Sequence, residues 1–130
     1  MSTIAATTFP QHRVLLVDDD VDEREAIACF LELQGADVAV AGDGEEALNA
    51  LRADPLRCLI LLDLNMPGMD GWEFRRRQLL SSMAGIPVVV VSGLPDLAVA
   101  IQGMSPRAAL RKPVELELLL RAVGTHCGGH

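Results

Sequence analysis

A chain of 130 residues, half of them apolar, is long enough for one packed domain, too short for two, and too hydrophobic for a disordered polymer. Its formal net charge of −7 repels nucleic acid and anionic membrane, and one Trp, three Phe and no Tyr leave little to stack on bases. Direct DNA or RNA binding is therefore not expected, and the longest apolar runs, CLILL at 58–62 and VVVV at 88–91, are far too short for a transmembrane helix.

The opening MSTIAATTFPQ has neither a basic start nor a long apolar stretch, so it is not a secretory signal. Residues 1–12 are expected to be a flexible leader on a soluble cytoplasmic protein. A first strand, RVLLV at 13–17, leads to a helix over about 21–34, with Asp20 and Glu23 at capping-box spacing and Ile27, Phe30 and Leu31 on one face, ending at Gly35. A second strand, ADVAV at 36–40, precedes a short helix, GEEALNAL, closed by Pro55. The third strand is CLILL, and its helix starts at Asp70 with Glu73 three residues on. RRR at 75–77 reads as a solvated face or a partner contact. A fourth strand, PVVVV at 87–91, is followed by the helix DLAVAIQ, and a weaker strand, RAAL at 107–110, by ELELLLRAV, opened by Pro113 and closed by Gly124.

Residues 125–130 are expected to be a flexible tail. HCGGH at 126–130 has the residue types of a soft-metal site, but a glycine-rich chain end is more often disordered. Cys29, Cys58 and Cys127 are odd in number and irregularly spaced, and Cys29 and Cys58 lie inside apolar patterns. Free thiols acting as small hydrophobes are expected, without disulfides.

Strands that are apolar throughout belong to a parallel sheet covered on both faces. Alternation with helices over short connections gives an α/β fold, a (βα)5 three-layer sandwich with right-handed crossovers. In such folds the ligand site lies beyond the carboxyl ends of the strands.

Those ends carry VDDD after the first strand, Asp63 after the third, Ser92-Gly93 after the fourth and Lys112-Pro113 after the fifth. The second offers only Ala41 and Gly42. If the first and third strands are neighbours, Asp18, Asp19 and Asp63 crowd one crevice, and like charges at that range call for a cation. Oxygen ligands from a few carboxylates, with no His or Cys at the strand ends, point to Mg²⁺. A carboxylate beside Mg²⁺, an ammonium and a hydroxyl has the parts for phosphoryl transfer, with Asp63 as nucleophile and an aspartyl phosphate as product.

With VDDD, LLDLNMPGMDG, VVVVSG and RKP in this order, the chain from Arg13 to about Gly124 resembles the receiver domain of two-component response regulators, of the chemotaxis-receiver kind. The resemblance implies the flavodoxin-like strand order 2-1-3-4-5 and a receiver domain over 13–124. It implies that Asp18 and Asp19 hold Mg²⁺ with Asp63 and the backbone carbonyl of Asn65. Asp63 would take a phosphoryl group from a histidine kinase or phosphotransfer protein. Ser92 and Lys112 would bond phosphoryl oxygens, Lys112 standing before what is usually a cis peptide to Pro113. Such a domain is not an enzyme with an external substrate, although it assists its own phosphorylation and dephosphorylation. Its first helix would dock the donor. The loop after Ser92 and the face of the fourth helix, fifth strand and fifth helix would signal to a downstream protein, as a monomer or as a phosphorylation-dependent dimer.

The pattern departs from the family at Ala109, where an aromatic switch residue is frequent, and at Val114, where Phe is frequent. The stretch from Ser92 to Lys112 also looks short, and Asn65 and Leu94 occupy positions that tune phosphoryl lifetime in the family. Taken singly, Asp18 to Asp20 read as a solvated turn, Asp63 as an Asx turn, Ser92 as a loop hydroxyl and Lys112 as a surface lysine; the joint pattern outweighs these readings. A haloacid-dehalogenase-type phosphatase needs Thr or Val where Asp22 stands, and a cap domain. A pseudo-receiver scaffold would not need the acids, the hydroxyl and the lysine together. Few residues follow the fifth helix, so no attached effector is expected, whether the chain is a single-domain regulator or a piece of a longer protein.

Overall fold

The architecture follows from aliphatic strands that bury both faces. The computed structural model describes residues 12–127; residues 1–11 of the expected leader and 128–130 of the expected tail, with the end of HCGGH, lie outside them. In chain order the elements are β1 (Arg13–Val17), α1 (Val21–Leu33), β2 (Asp37–Ala41), α2 (Gly44–Ala53), β3 (Leu59–Leu62), α3 (Gly71–Leu79), β4 (Val88–Ser92), α4 (Leu97–Ala100), β5 (Ala108–Arg111) and α5 (Leu116–His126). The strands form one parallel sheet in the order β2-β1-β3-β4-β5.

Side chains alternate between the faces of each strand. Val14, Leu16, Leu61 and Val89 therefore pack with Ile27 and Leu31 of α1 and Leu119 and Val123 of α5, whereas Leu15, Val17, Ile60 and Val90 pack with Leu48 and Leu51 of α2 and Phe74 of α3. These two cores make the three layers. The register sets the site: Val17 lies level with Leu62, and Leu62 with Val90. Asp18 and Asp63 thus leave the sheet side by side, each still tied to it by its own amide, to Ala41 O at 3.0 Å and Val17 O at 2.9 Å.

Three helices start as expected, with Asp20, Asp43 and Asp70 accepting from the backbone amide three residues on. Other features differ from expectation. α4 is a single turn of four residues: after Ile101 N, which donates to Leu97 O, the bonding tightens to three-residue turns, Gln102 N to Val99 O and Met104 N to Ile101 O, and the chain passes through left-handed backbone at Gly103 (φ 80°) and Ser105 (φ 51°). α5 runs past Gly124 to His126, with Leu119, Ala122 and Val123 buried along it.

That extra turn corrects the cysteine reading. Cys127, at the end of α5, is joined in a disulfide to Cys58, just before β3, with the Cα atoms 4.8 Å apart across 69 residues of sequence. The pairing depends on α5 packing back over the start of β3, which spacing alone does not encode. Cys29 is free, and it is exposed on α1 instead of packed in the core.

The arginine run is not one solvated face. Arg76 and Arg77 are exposed and pair with Glu73, but Arg75 is buried. It donates to Met104 O at 2.9 Å, Ser105 O at 3.1 Å and Gln78 Oε1 at 2.6 Å. Gln78 in turn donates to Met83 O at 2.9 Å and Ile86 O at 3.0 Å, and Trp72 Nε1 to Ala100 O at 2.7 Å. α3 thereby fastens the segment after α4 through its polar groups. No helix among the described residues is long and apolar enough to cross a membrane.

Candidate functional site

The carboxyl ends of β1, β3, β4 and β5 converge on one cleft. Asp18 follows β1 directly and is almost fully enclosed, at 2 % exposure. Its Oδ1 accepts from Asp20 N at 2.9 Å and its carbonyl from Arg24 Nη1 at 3.0 Å, which fixes the turn into α1. Burial, reinforced by the neighbouring side chain of Glu23, pushes its carboxyl up to about 7. Asp19 is exposed beside it.

Asp63 follows β3 and is 7 % exposed. Burial raises its carboxyl above the ordinary range, against the pull of Lys112 and the backbone amide of Asn65; the charge of Asp19 adds to the rise. One oxygen from each of Asp18, Asp19 and Asp63 lies within 4.8 Å of the others.

Ser92, the last residue of β4, is buried, and its Oγ accepts from Leu94 N at 3.1 Å. Lys112 follows β5 before a cis peptide to Pro113. Its backbone amide donates to Ser92 O at 2.9 Å, and its Nζ reaches Asp63 Oδ2 at 3.2 Å and Asp18 Oδ2 at 3.4 Å. Burial opposes the lysine charge, but the carboxylates of Glu23, Asp63 and Asp18 outweigh it and hold the ammonium above the usual lysine range. Asp63, Asn65, Ser92, Gly93, Leu94 and Lys112 line a cleft of about 270 Å³.

The loop after Asp63 is clamped at both ends of its path. Met69 O accepts from Gly44 N at 2.8 Å, and Leu64 O from Gly71 N at 2.9 Å. At Gly71 the chain passes so near β3 that a Cβ would stand 2.5 Å from Asp63 O and 2.7 Å from Leu64 Cα. Only glycine lets α3 begin there without moving Asp63.

All six residues singled out from the sequence, Asp18, Asp19, Asp63, Asn65, Ser92 and Lys112, thus lie at the sheet's carboxyl edge. One participant was missed. Glu23 sits 2.5 Å from Lys112 Nζ, although its sequence position reads as a helix cap. The signal was present only as an acid three residues beyond Asp20, which local rules explain without reference to β5. Ala109 pairs with Val90 in β5, and Val114 packs against the core shared by α1 and α5.

Such an array can bind a divalent cation through carboxylate oxygens and present a partly buried carboxylate to an electrophile beside an ammonium and a hydroxyl.

Comparison with known proteins agrees in fold and family. The model of the response regulator receiver domain matches residues 14–124. The DNA-binding response regulator MtrA of Mycolicibacterium paratuberculosis is 37 % identical over 118 residues, covering 86 % of this chain and 51 % of MtrA. The C4-dicarboxylate transport transcriptional regulatory protein DctD of Pseudomonas aeruginosa is 36 % identical over 115 residues, covering 87 % of this chain and 24 % of DctD. A crystal structure of a response regulator receiver protein from Pseudomonas putida superposes with a TM-score of 0.83 at 34 % identity, covering 88 % of this chain and 96 % of that one. The chain spans about half the length of MtrA and about a quarter of DctD. DNA binding is named for MtrA, so the expectation of no nucleic-acid partner finds no support in these relatives.

Proposed function

The chain belongs to the family of response regulator receiver domains, which serve phosphorelay signalling, and from that premise we propose that Asp63 is its phosphoacceptor. The donor is a histidine kinase or a histidine phosphotransfer protein, and the output goes to a downstream protein partner in the cytoplasm. The observation that carries this reading is the meeting of Asp18, Asp19 and Asp63 within 4.8 Å, with Lys112 Nζ 3.2 Å from Asp63 Oδ2.

In the reaction, an Asp63 oxygen forms a bond to the phosphorus of a phosphohistidine while the P–N bond breaks, and the departing imidazole takes a proton. Lys112 stands where it can move from carboxylate to phosphoryl oxygen, and the Ser92 hydroxyl keeps its hydrogen for another, since the contact it makes with Leu94 N is as acceptor.

Mg²⁺ fits this site because the donors are all oxygen and two of the three acids are raised by burial, a cost that a cation relieves. Asp18, Asp19, Asp63 and the Asn65 carbonyl would hold it. When bound it supplies positive charge against the charge of the acids and of the transferring group. The chain is then a phosphoacceptor without turnover on an external substrate.

Thermal unfolding with Mg²⁺ checks the metal part. At ten times its Kd, Mg²⁺ is expected to add about 1.4 kcal/mol, a Tm rise of roughly 4–6 °C for a domain of this size. Because the Asp18 carboxyl is held at about 7, the ion must displace a proton below that pH, and apparent affinity weakens as pH falls from 7 toward 5.5. The slope approaches about tenfold per pH unit for one proton. Without Mg²⁺ the sign reverses: a carboxyl raised in the folded state favours folding at low pH, so its contribution is lost as pH rises from the ordinary carboxylate range through about 7. No stabilisation by millimolar Mg²⁺ at pH 7.5 counts against the reading.

A further inference from the structure

Glu23 is an acid at this site to which the phosphoacceptor reading gives no task. Its sequence position is that of a capping box: Asp20 accepts from Glu23 N at 3.1 Å, and a bond from the Glu23 side chain to Asp20 N would complete the pair. That bond is not made, because Asp20 N donates to Asp18 Oδ1 instead. α2 carries the same spacing in Asp43 and Glu46, and there the glutamate does turn back to the backbone, accepting from Gly42 N at 2.8 Å.

Glu23 reaches across from α1 to the end of β5, and its Oε1 meets Lys112 Nζ at 2.5 Å. Asp63 and Asp18 stand farther from the same nitrogen, at 3.2 and 3.4 Å. Glu23 Oε1 is enclosed and accepts no hydrogen bond of good geometry, so the ionic contact is what compensates its burial. An ammonium has three N–H donors, and three carboxylates already surround this one. A phosphoryl oxygen arriving on Asp63 can be served only if one of them gives way.

We propose that Glu23 is a positioning residue that competes with the phosphoryl group for Lys112, holding the ammonium toward α1 and slowing phosphoryl uptake. The proposal rests on the phosphoacceptor reading of Asp63. Glu23 and Lys112 are both partly exposed, so solvent screens the pair and the brake is several-fold, not absolute.

The test uses the full chain with saturating Mg²⁺ and phosphoramidate as donor, following the mass gain of one phosphoryl group with time. Glu23→Gln keeps the shape and removes the charge, and it is expected to raise the initial rate about three- to tenfold. A second measurement separates release of Lys112 from a general structural effect. In the 13C-labelled wild-type chain, beryllofluoride with Mg²⁺ should shift the Glu23 carboxylate and Lys112 Cε signals together. In Glu23→Gln the Lys112 Cε signal should already be displaced toward its beryllofluoride-bound position. A Glu23→Gln rate within twofold of wild type, or a Glu23 carboxylate signal that beryllofluoride leaves unmoved, overturns this inference alone. No phosphoryl uptake by the folded wild-type chain overturns the reading of Asp63 on which it rests.

Discussion

Asp63→Asn is expected to remove phosphoryl uptake from small donors and from a cognate kinase, lowering the initial rate by more than about a hundredfold. The amide keeps the size and planarity of the carboxyl but is not a nucleophile, so the loss is chemical. Its effect on folding should be small or favourable in the absence of Mg²⁺, because burial already raises the Asp63 carboxyl and a neutral side chain relieves the crowding with Asp18 and Asp19. Intact-mass measurement after incubation with phosphoramidate reads the first effect, and thermal unfolding reads the second. Asp18→Asn separates the reading from a phosphatase whose nucleophile follows the first strand. In that enzyme Asp18→Asn would abolish turnover of a phosphate monoester and Asp63→Asn would spare it. In a receiver the group still resides on Asp63, and Asp18→Asn weakens Mg²⁺ binding.

Gly71→Ala should give the largest loss of stability of a single-methyl change near the site. The added carbon would lie 2.5 Å from Asp63 O and 2.7 Å from Leu64 Cα, and both obstacles are backbone, so no side-chain rotation relieves them. Either α3 starts farther out or the end of β3 is pushed back. Overpacking of this kind costs about 1–3 kcal/mol, visible as a lower urea midpoint at an unchanged slope. Because the obstacle is the carbonyl of Asp63 itself, phosphoryl uptake should fall as well, by displacement of the carboxyl from Lys112. Gly85→Ala supplies the control: no atom lies within 4 Å of a Cβ there, and stability should be unchanged within about 0.5 kcal/mol.

The fold and the main members of the site were legible because they are encoded in runs. β1, β3 and β4 each carry an aliphatic run that gives way at the strand's carboxyl end to a polar residue, Asp18, Asp63 or Ser92, and parallel pairing with Val17 beside Leu62 turns those endings into neighbours. Asp18, Asp63 and Ser92 could thus be placed without knowing any side-chain contact. Strand order came from the family resemblance, since alternation of β and α elements is compatible with more than one order.

What the sequence hid depends on contacts between segments far apart in the chain. Successive residues of a helix point about 100° apart, so Arg75, Arg76 and Arg77 cannot share one face. Which of them turns inward is decided by the carbonyls of Met104 and Ser105. The Cys58–Cys127 disulfide needed the end of α5, which runs past the glycine expected to stop it. Glu23 satisfied a local capping rule so well that its reach to Lys112 had no separate signature. The four-residue α4 gives way to three-residue turns and then to left-handed backbone at Gly103 and Ser105, which apolar periodicity does not report.

Phosphorus captured by Asp63 is the claim from which the roles of Mg²⁺, Ser92, Lys112 and Glu23 follow. The most direct measurement is to phosphorylate the wild-type chain with Mg²⁺, reduce the acyl phosphate with borohydride, and map the altered residue by peptide mass spectrometry. Reduction confined to position 63, and lost when Mg²⁺ is chelated, is the expected result. A label on Asp18 or Asp19 instead, or none in a folded chain saturated with Mg²⁺, would contradict it.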